Sequence, residues 1–261
     1  MNPPTTIVEH PADLIPAIAA ARAAQNRTEA AKPQRRVLII GRSGTGKTYN
    51  VCTTFPKVIV LDYDNQLNDD AVRSKVAGIY PMWDKAWVSD KLKAPGTALL
   101  AHKALLTSKD IAALDHTYTV FVDSFNQFGD EISEKLKDQT PKGDQYWYWR
   151  EWAKALREVH NLYKQLRCNV VVSMIEEEVR DAETGRVEAV RMNMQGREFT
   201  PRMPSFYTDV FRQVKKVTPK PPDDATIEYL WQIHPNNDFS MAKSRIKTTK
   251  MFVPSTWASL Q

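Results

Sequence analysis

Four apolar runs, within residues 37–40, 57–62, 119–124 and 169–173, stand out along the chain, each rich in Val and Ile. They are short and lack the polar alternation of a half-exposed strand, so they predict parallel strands covered on both faces. A period near 3.6 takes over from Asp144 to about Arg167. There Trp149, Trp152, Leu156, Val159, Tyr163 and Leu166 recur at spacings of three and four and predict an amphipathic helix. Ala98, Leu99, Leu100, Ala104, Leu105 and Leu106 predict another after the Pro95-Gly96 break, and residues 68–116 as a whole read as helical cover for the sheet. Beyond residue 180 the texture changes. Residues 181–186 carry a hairpin turn signal, residues 210–217 a strand with a basic exposed side, and residues 218–224 a Pro-rich loop. Ile227, Tyr229, Trp231 and Ile233 then alternate with polar positions, and a last strand comes near residues 251–253. The expected fold is α/β: a mostly parallel central sheet flanked by helices, with antiparallel strands added toward the C-terminal end.

Composition adds bounds. The chain has 261 residues and is 42% hydrophobic, which suits one large domain over residues 36–261 with an appendage. That appendage is residues 1–35, an N-terminal helical arm opened by Asp13 and carrying Leu14, Ile15 and Ile18. It reads either as a surface-docked helix or as an oligomerisation element packing on a neighbouring subunit. No apolar run approaches the ~18 residues of a membrane span, and the N-terminus lacks the basic-then-apolar pattern of a leader. Cys52 and Cys168 are isolated and give neither a disulfide framework nor a metal-ligand spacing. A cytoplasmic setting without membrane contact is expected.

Net charge is +5, compatible with nucleic acid but not diagnostic of it. Placement is more informative. Arg191, Arg197 and Arg202 lie among Met192, Met194 and Phe199, with Gly196, Pro201 and Pro204 as breakers, and form a candidate DNA-binding loop. In the aromatic cluster of residues 146–152 the helical stripe packs inward, leaving Tyr146, Trp147 and Tyr148 for an exposed face.

The most specific chemistry is at residues 41–48, Gly-Arg-Ser-Gly-Thr-Gly-Lys-Thr, between the first apolar run and a helix-compatible segment through Thr53. Two glycines followed by Lys and Thr at this spacing form a phosphate-binding loop. Gly41, Ser43, Gly44, Thr45 and Gly46 let backbone N–H groups converge on a triphosphate. Lys47 reaches the β- and γ-phosphates, and the Thr48 hydroxyl holds Mg²⁺. ATP and Mg²⁺ are the expected cofactors. Asp62 and Asp64 end the second run, where ligands gather in parallel sheets. Asp123 ends the third, where a carboxylate sits beside the metal. Ser173 ends the fourth run, before the acidic triplet Glu176, Glu177 and Glu178, which reads as a solvated loop or helix start.

This order of loop, Asp-x-Asp strand, Asp-Ser strand, polar-ended strand, basic hairpin, antiparallel strands and Ala-Lys-Ser-Arg resembles the RecA-like P-loop ATPase core. More narrowly it resembles phage-encoded nucleotide-binding proteins of single-strand annealing and recombination, with the match covering about residues 35–257. The resemblance implies that Asp64 activates the attacking water, in a position where such recombinases usually carry Glu, and that Asp123 accompanies magnesium. It further implies that Lys243 and Arg245 reach a neighbouring subunit's nucleotide. On this resemblance the chain is expected to be a self-assembling ATPase, ring or filament with nucleotide at subunit interfaces, that binds single-stranded DNA, alone or alongside a single-stranded-DNA-binding protein. The alternatives are a nucleotide-gated DNA-binding protein with negligible turnover, or a helicase or packaging motor on the same core.

Overall fold

The computed structural model describes residues 34–65, 67, 69–82, 97–142, 144–196, 199–220 and 224–261. The expected N-terminal arm lies outside them except for Gln34 and Arg35, and Arg197 also lies outside. The first half of the described chain holds β1 (Arg36–Gly41), α1 (Lys47–Thr54), β2 (Val58–Asp62), the one-turn α2 (Asp70–Arg73) and β3 (Gly78–Pro81). Then come α3 (Thr97–Leu106), the short α4 (Lys109–Ala112), β4 (Thr119–Asp123), α5 (Phe125–Gln139) and α6 (Gln145–Gln165). The second half holds β5 (Asn169–Arg180), β6 (Val187–Met192), a 3₁₀ turn (Thr200–Phe206), β7 (Asp209–Lys220), β8 (Asp224–Gln232), β9 (Phe252–Pro254) and a closing 3₁₀ turn (Trp257–Leu260).

The strands form one sheet in the order β3-β2-β4-β5-β1-β7-β8-β9, with β6 paired to the outer half of β5. From β3 to β7 every pairing is parallel, while β8, β9 and β6 join antiparallel. The α/β architecture expected from the apolar runs is the one observed. Because side chains alternate along a strand, β1 feeds two cores. Leu38 and Ile40 pack with Val122, Val172, Phe128, Trp152 and Leu156 on the side of α5 and α6. Val37 and Ile39 pack with Val51, Phe55, Phe121, Val171 and Trp231 on the side of α1. Continuous apolar composition is therefore the signature of burial on both faces.

Several expectations need correction. Residues 68–116 are not purely helical cover: β3 pairs with β2 at the sheet edge. The helix α5, buried through Phe125, Phe128, Ile132 and Leu136, was not anticipated. The acidic triplet is neither loop nor helix, since β5 runs through it to Arg180. Its buried member, Glu176, is neutralised by Arg212 at 2.8 and 2.9 Å and by Arg42 at 3.4 Å. The loop expected from Thr218 is strand as far as Lys220. The expected alternation along β8 is not observed: residues 225–228, Ile227 among them, are all exposed, whereas Trp231, Gln232 and Ile233 are all buried. In α6, Tyr148 is buried and Trp149 exposed, the reverse of the stripe, whereas Tyr146 is exposed as expected.

Two histidines are enclosed by aromatic residues on the α6 side. His102 lies between the hydroxyls of Tyr63 (2.6 Å) and Tyr163 (2.9 Å). His160 lies between the Leu156 carbonyl (2.7 Å) and the Tyr207 hydroxyl (3.0 Å). Burial disfavours their charged forms, pushing His102 down to about 3 and His160 to about 4.

Candidate functional site

β1 ends at Gly41, and the chain turns back over the carboxyl edge of the sheet before entering α1 at Lys47. Gly44 and Gly46 hold φ of 74° and 80°, the left-handed region that side chains disfavour. Gly41 is demanded by space: a Cβ there would sit 2.8 Å from the Gln213 carbonyl oxygen. The Thr45 hydroxyl donates to the Arg42 carbonyl at 2.8 Å and braces the turn. Ser43 and Gly44 are exposed on its outer rim. Lys47 is buried, with Nζ donating to the Gly41 and Arg42 carbonyls at 2.7 and 2.9 Å. Its pKa is lowered mainly by desolvation, against the raising influence of Asp123, Glu176 and Asp64.

The carboxylates gather behind this lysine. Thr48 Oγ1 donates to Asp123 Oδ2 at 2.5 Å, and Ser173 Oγ donates to the other oxygen. Burial raises Asp123 to about 6, against the lowering effect of the Ser173 and Thr48 hydroxyls. The Asp123–Ser124 peptide is cis. Ser124 Oγ donates to Asp64 at 2.9 Å, so Asp64, Ser124 and Asp123 form a row across the ends of β2 and β4. Asp64 opens onto a cleft of about 340 Å³ shared with Ser124, Asn126, Asp130, Asn193 and Gln195. The structure thus brings Gly41, Ser43, Gly44, Thr45, Gly46, Lys47, Thr48, Asp64 and Asp123 to one place.

The remaining candidates lie elsewhere. Lys243 bridges Val210, and the Arg245 backbone N–H donates to Asp209 Oδ1 at 2.7 Å. Val37 is the partner of Asp209 in the β1–β7 register, so both basic residues sit at the amino end of β1. At about 3.3 Å per residue this is roughly 13 Å from Gly41 along the strand. Lys243 and Arg245 do not join the loop of their own chain. Arg191 is exposed on β6 opposite Glu177, and Arg202 is exposed in the 3₁₀ turn that leads to Thr208 beside Arg36. The two lie on separate elements, and the loop expected to unite them contains strand and 3₁₀ turn.

Several residues near the loop were not singled out in the sequence. Ser124 follows Asp123 directly and Asn126 comes two residues later, where it accepts from the Ile175 N–H at 2.7 Å and donates to the Asn193 carbonyl. Arg42 within the loop pairs with Glu176 and Glu178, and Arg212 pairs with the same two carboxylates. This network ties the loop to β5 and β7. The available signal was an arginine inside the glycine loop facing an acidic triplet, although their contact spans distant sequence.

Residues 33–240 match the model of the AAA domain family AAA_24. The chain belongs to this family. No curated protein matches the sequence. Among solved structures, one described as a prototypical ATPase from the type III secretion system of pathogenic bacteria is similar at 11% identity and a TM-score of 0.38, covering 68% of this chain. The present chain spans about half the length of that structure, 50%.

The AAA domain's residues fit a nucleotide with magnesium. A glycine cradle with left-handed turns, a buried lysine satisfied only by carbonyls, and a hydroxyl–carboxylate pair provide the donor set. Hydroxyl and carboxylate oxygens are hard ligands suited to Mg²⁺, which usually adds phosphate and water oxygens to one or two protein groups. Thr48 and Asp123 would hold the ion, which supplies charge stabilisation at phosphoryl oxygens when bound. Lys47 would exchange its two carbonyl acceptors for phosphate oxygens. Asp64 faces the cleft beyond them.

Proposed function

We propose that this chain is a Mg²⁺-dependent RecA-like ATPase that self-assembles, binds single-stranded DNA and promotes annealing or recombination in the cytoplasm. The observation that carries the ATPase reading is the Thr48–Asp123 contact at 2.5 Å beside a buried Lys47. Lys47 binds the phosphate tail and neutralises charge that develops there. Asp64 acts as the base toward water, oriented by Ser124. Lys47→Ala is expected to lower phosphate release about a hundred- to thousandfold, the range for removing one preorganised donor. Retention of wild-type turnover by this variant would rule the reading out.

Assembly is supported by the remote position of Lys243 and Arg245, with Arg245 exposed and neither residue able to serve its own loop. In a shared site they would stabilise the transition state on the neighbour's nucleotide, and ATP would bridge two protomers. DNA binding is supported by the exposed Arg191 and Arg202 and by the motif order. Phosphate contacts by such arginines make affinity fall steeply with salt. Binding of a single-stranded oligonucleotide between about 50 and 200 mM salt tests this, and a flat salt dependence counts against it.

A second reading, a nucleotide-gated binder with slow turnover, is favoured by Asp64 itself. Its side chain is shorter than the Glu that such recombinases usually carry there, and its carboxylate is already engaged by the Ser124 hydroxyl at 2.9 Å. Phosphate release with and without single-stranded DNA separates the two.

A further inference from the structure

We propose that Tyr49 and Tyr229 form the platform on which the base of the bound nucleotide stacks. The proposal rests on the nucleotide reading and adds which part of the molecule the fold holds beyond the phosphates.

Tyr49 is the second residue after Lys47, on the first turn of α1, and is 50% exposed. Its ring centroid lies 6.3 Å from that of Tyr229, with the planes 40° apart. Tyr229 comes from β8 and lies directly against the loop: a Cβ on Gly46 would be 2.5 Å from its Cε1. Tyr229 therefore borders Gly46, the residue that precedes Lys47, and Tyr49 stands beside Tyr229 on the first turn after the phosphate grip. Their placement is fixed from below. Asn50 donates to Ser255 Oγ at 2.8 Å, Gln213 donates to the same oxygen at 3.2 Å, and Trp231 donates to Gln213 at 2.7 Å. These buried bonds lock α1 to β7, β8 and the segment after β9.

The surface beside the pair is apolar apart from Lys215. Tyr229 pairs with Lys215 and Ile227 with Val217 in the β7–β8 register, and alternation puts all four side chains on one face of the ribbon. Val217 and Ile227 are 52% and 47% exposed. An aromatic pair, Tyr49 exposed and Tyr229 half-buried, continued by aliphatic side chains and touching a phosphate loop, suits the flat, weakly polar end of a nucleotide whose other end is polyanionic. Stacking on a phenol face senses ring area and accepts any base. Purine nucleotides are therefore favoured over pyrimidine nucleotides.

Calorimetric titration of the full chain with Mg²⁺ and ATP, CTP or inorganic tripolyphosphate tests the assignment. Wild type is expected to bind ATP more tightly than CTP, and CTP more tightly than tripolyphosphate. Tyr229→Ala and Tyr49→Ala are each expected to weaken ATP roughly 5- to 150-fold, the range of base–aromatic stacking on alanine substitution, while tripolyphosphate affinity holds. Tyr229→Phe keeps the ring and should retain ATP affinity. Equal loss of ATP and tripolyphosphate in both alanine variants would mean that the rings only stiffen the loop, and the platform is refuted. Wild-type ATP affinity in both would refute it equally. Tyr49 is exposed on a helix, so its variant keeps the test open if Tyr229→Ala does not fold. If wild type binds neither ATP nor tripolyphosphate, the phosphate-loop reading itself falls. If it binds both equally, only the base platform does.

Discussion

His102 and His160 make the stability of the α6-side core sensitive to acid. In the unfolded chain each imidazole takes up a proton near 6.5, but in the fold uptake waits until about 3 for His102 and about 4 for His160. Between those values the unfolded state binds more protons, so this stability is complete above 6.5 and declines as pH falls below it. Each pH unit in that window is worth about 1.4 kcal/mol per group. Moving from about pH 7.5 to pH 5 therefore removes about 2 kcal/mol for each histidine, a large share of a typical folding free energy. Urea denaturation of wild type, His102→Gln and His160→Gln at the two pH values isolates the effect from other titrating groups. Each variant starts less stable, because Gln fills the space and meets the tyrosine hydroxyls less well. Its loss of stability between the two pH values should nonetheless be about 2 kcal/mol smaller than that of wild type. Identical losses in all three proteins would show that neither imidazole is held neutral.

Other expectations concern the nucleotide loop. Gly46→Ala combines a positive φ with a clash against the Tyr229 ring, so urea denaturation should show about 1–3 kcal/mol of destabilisation; an unchanged midpoint would contradict the loop geometry. If Lys243 and Arg245 act on a neighbour's nucleotide, mixing inactive Lys47→Ala with inactive Arg245→Ala should restore part of the ATPase activity. A mixture as inactive as its components would refute the shared site. Lys47→Ala and the salt titration of DNA binding complete the set.

Much of this arrangement was legible because its signals are local. The glycine loop, the apolar runs and their terminal Asp64 and Asp123 each lie within a few consecutive residues, and parallel pairing then carries them to one edge of the sheet. What escaped depends on partners far along the chain. Glu176 is tolerated in a buried strand because Arg212 and Arg42 neutralise it, and nothing in Glu-Glu-Glu announces that. The four-residue β3, Gly-Ile-Tyr-Pro, is too short for a period and becomes a strand only beside β2. Tyr148 and Trp149 exchange the roles that simple spacing assigns, because Tyr148 reaches the Ser133 hydroxyl on α5 at 2.5 Å. Lys243 and Arg245 carry no local signal of which end of the sheet they occupy.

The central place of β1 has a consequence for synthesis. Arg35 bonds to Asn169 and Arg36 to Thr208, partners 134 and 172 positions later. A ribosome adding about 5–20 residues per second emits the loop well before either flanking strand. During that interval Lys47 and Thr48 lack Asp123 and Ser173, so nascent chains have no complete pocket with which to capture nucleotide. The pocket around Lys47 and Thr48 is therefore complete only late, once β5 and β7 have closed on both sides of the earliest described strand.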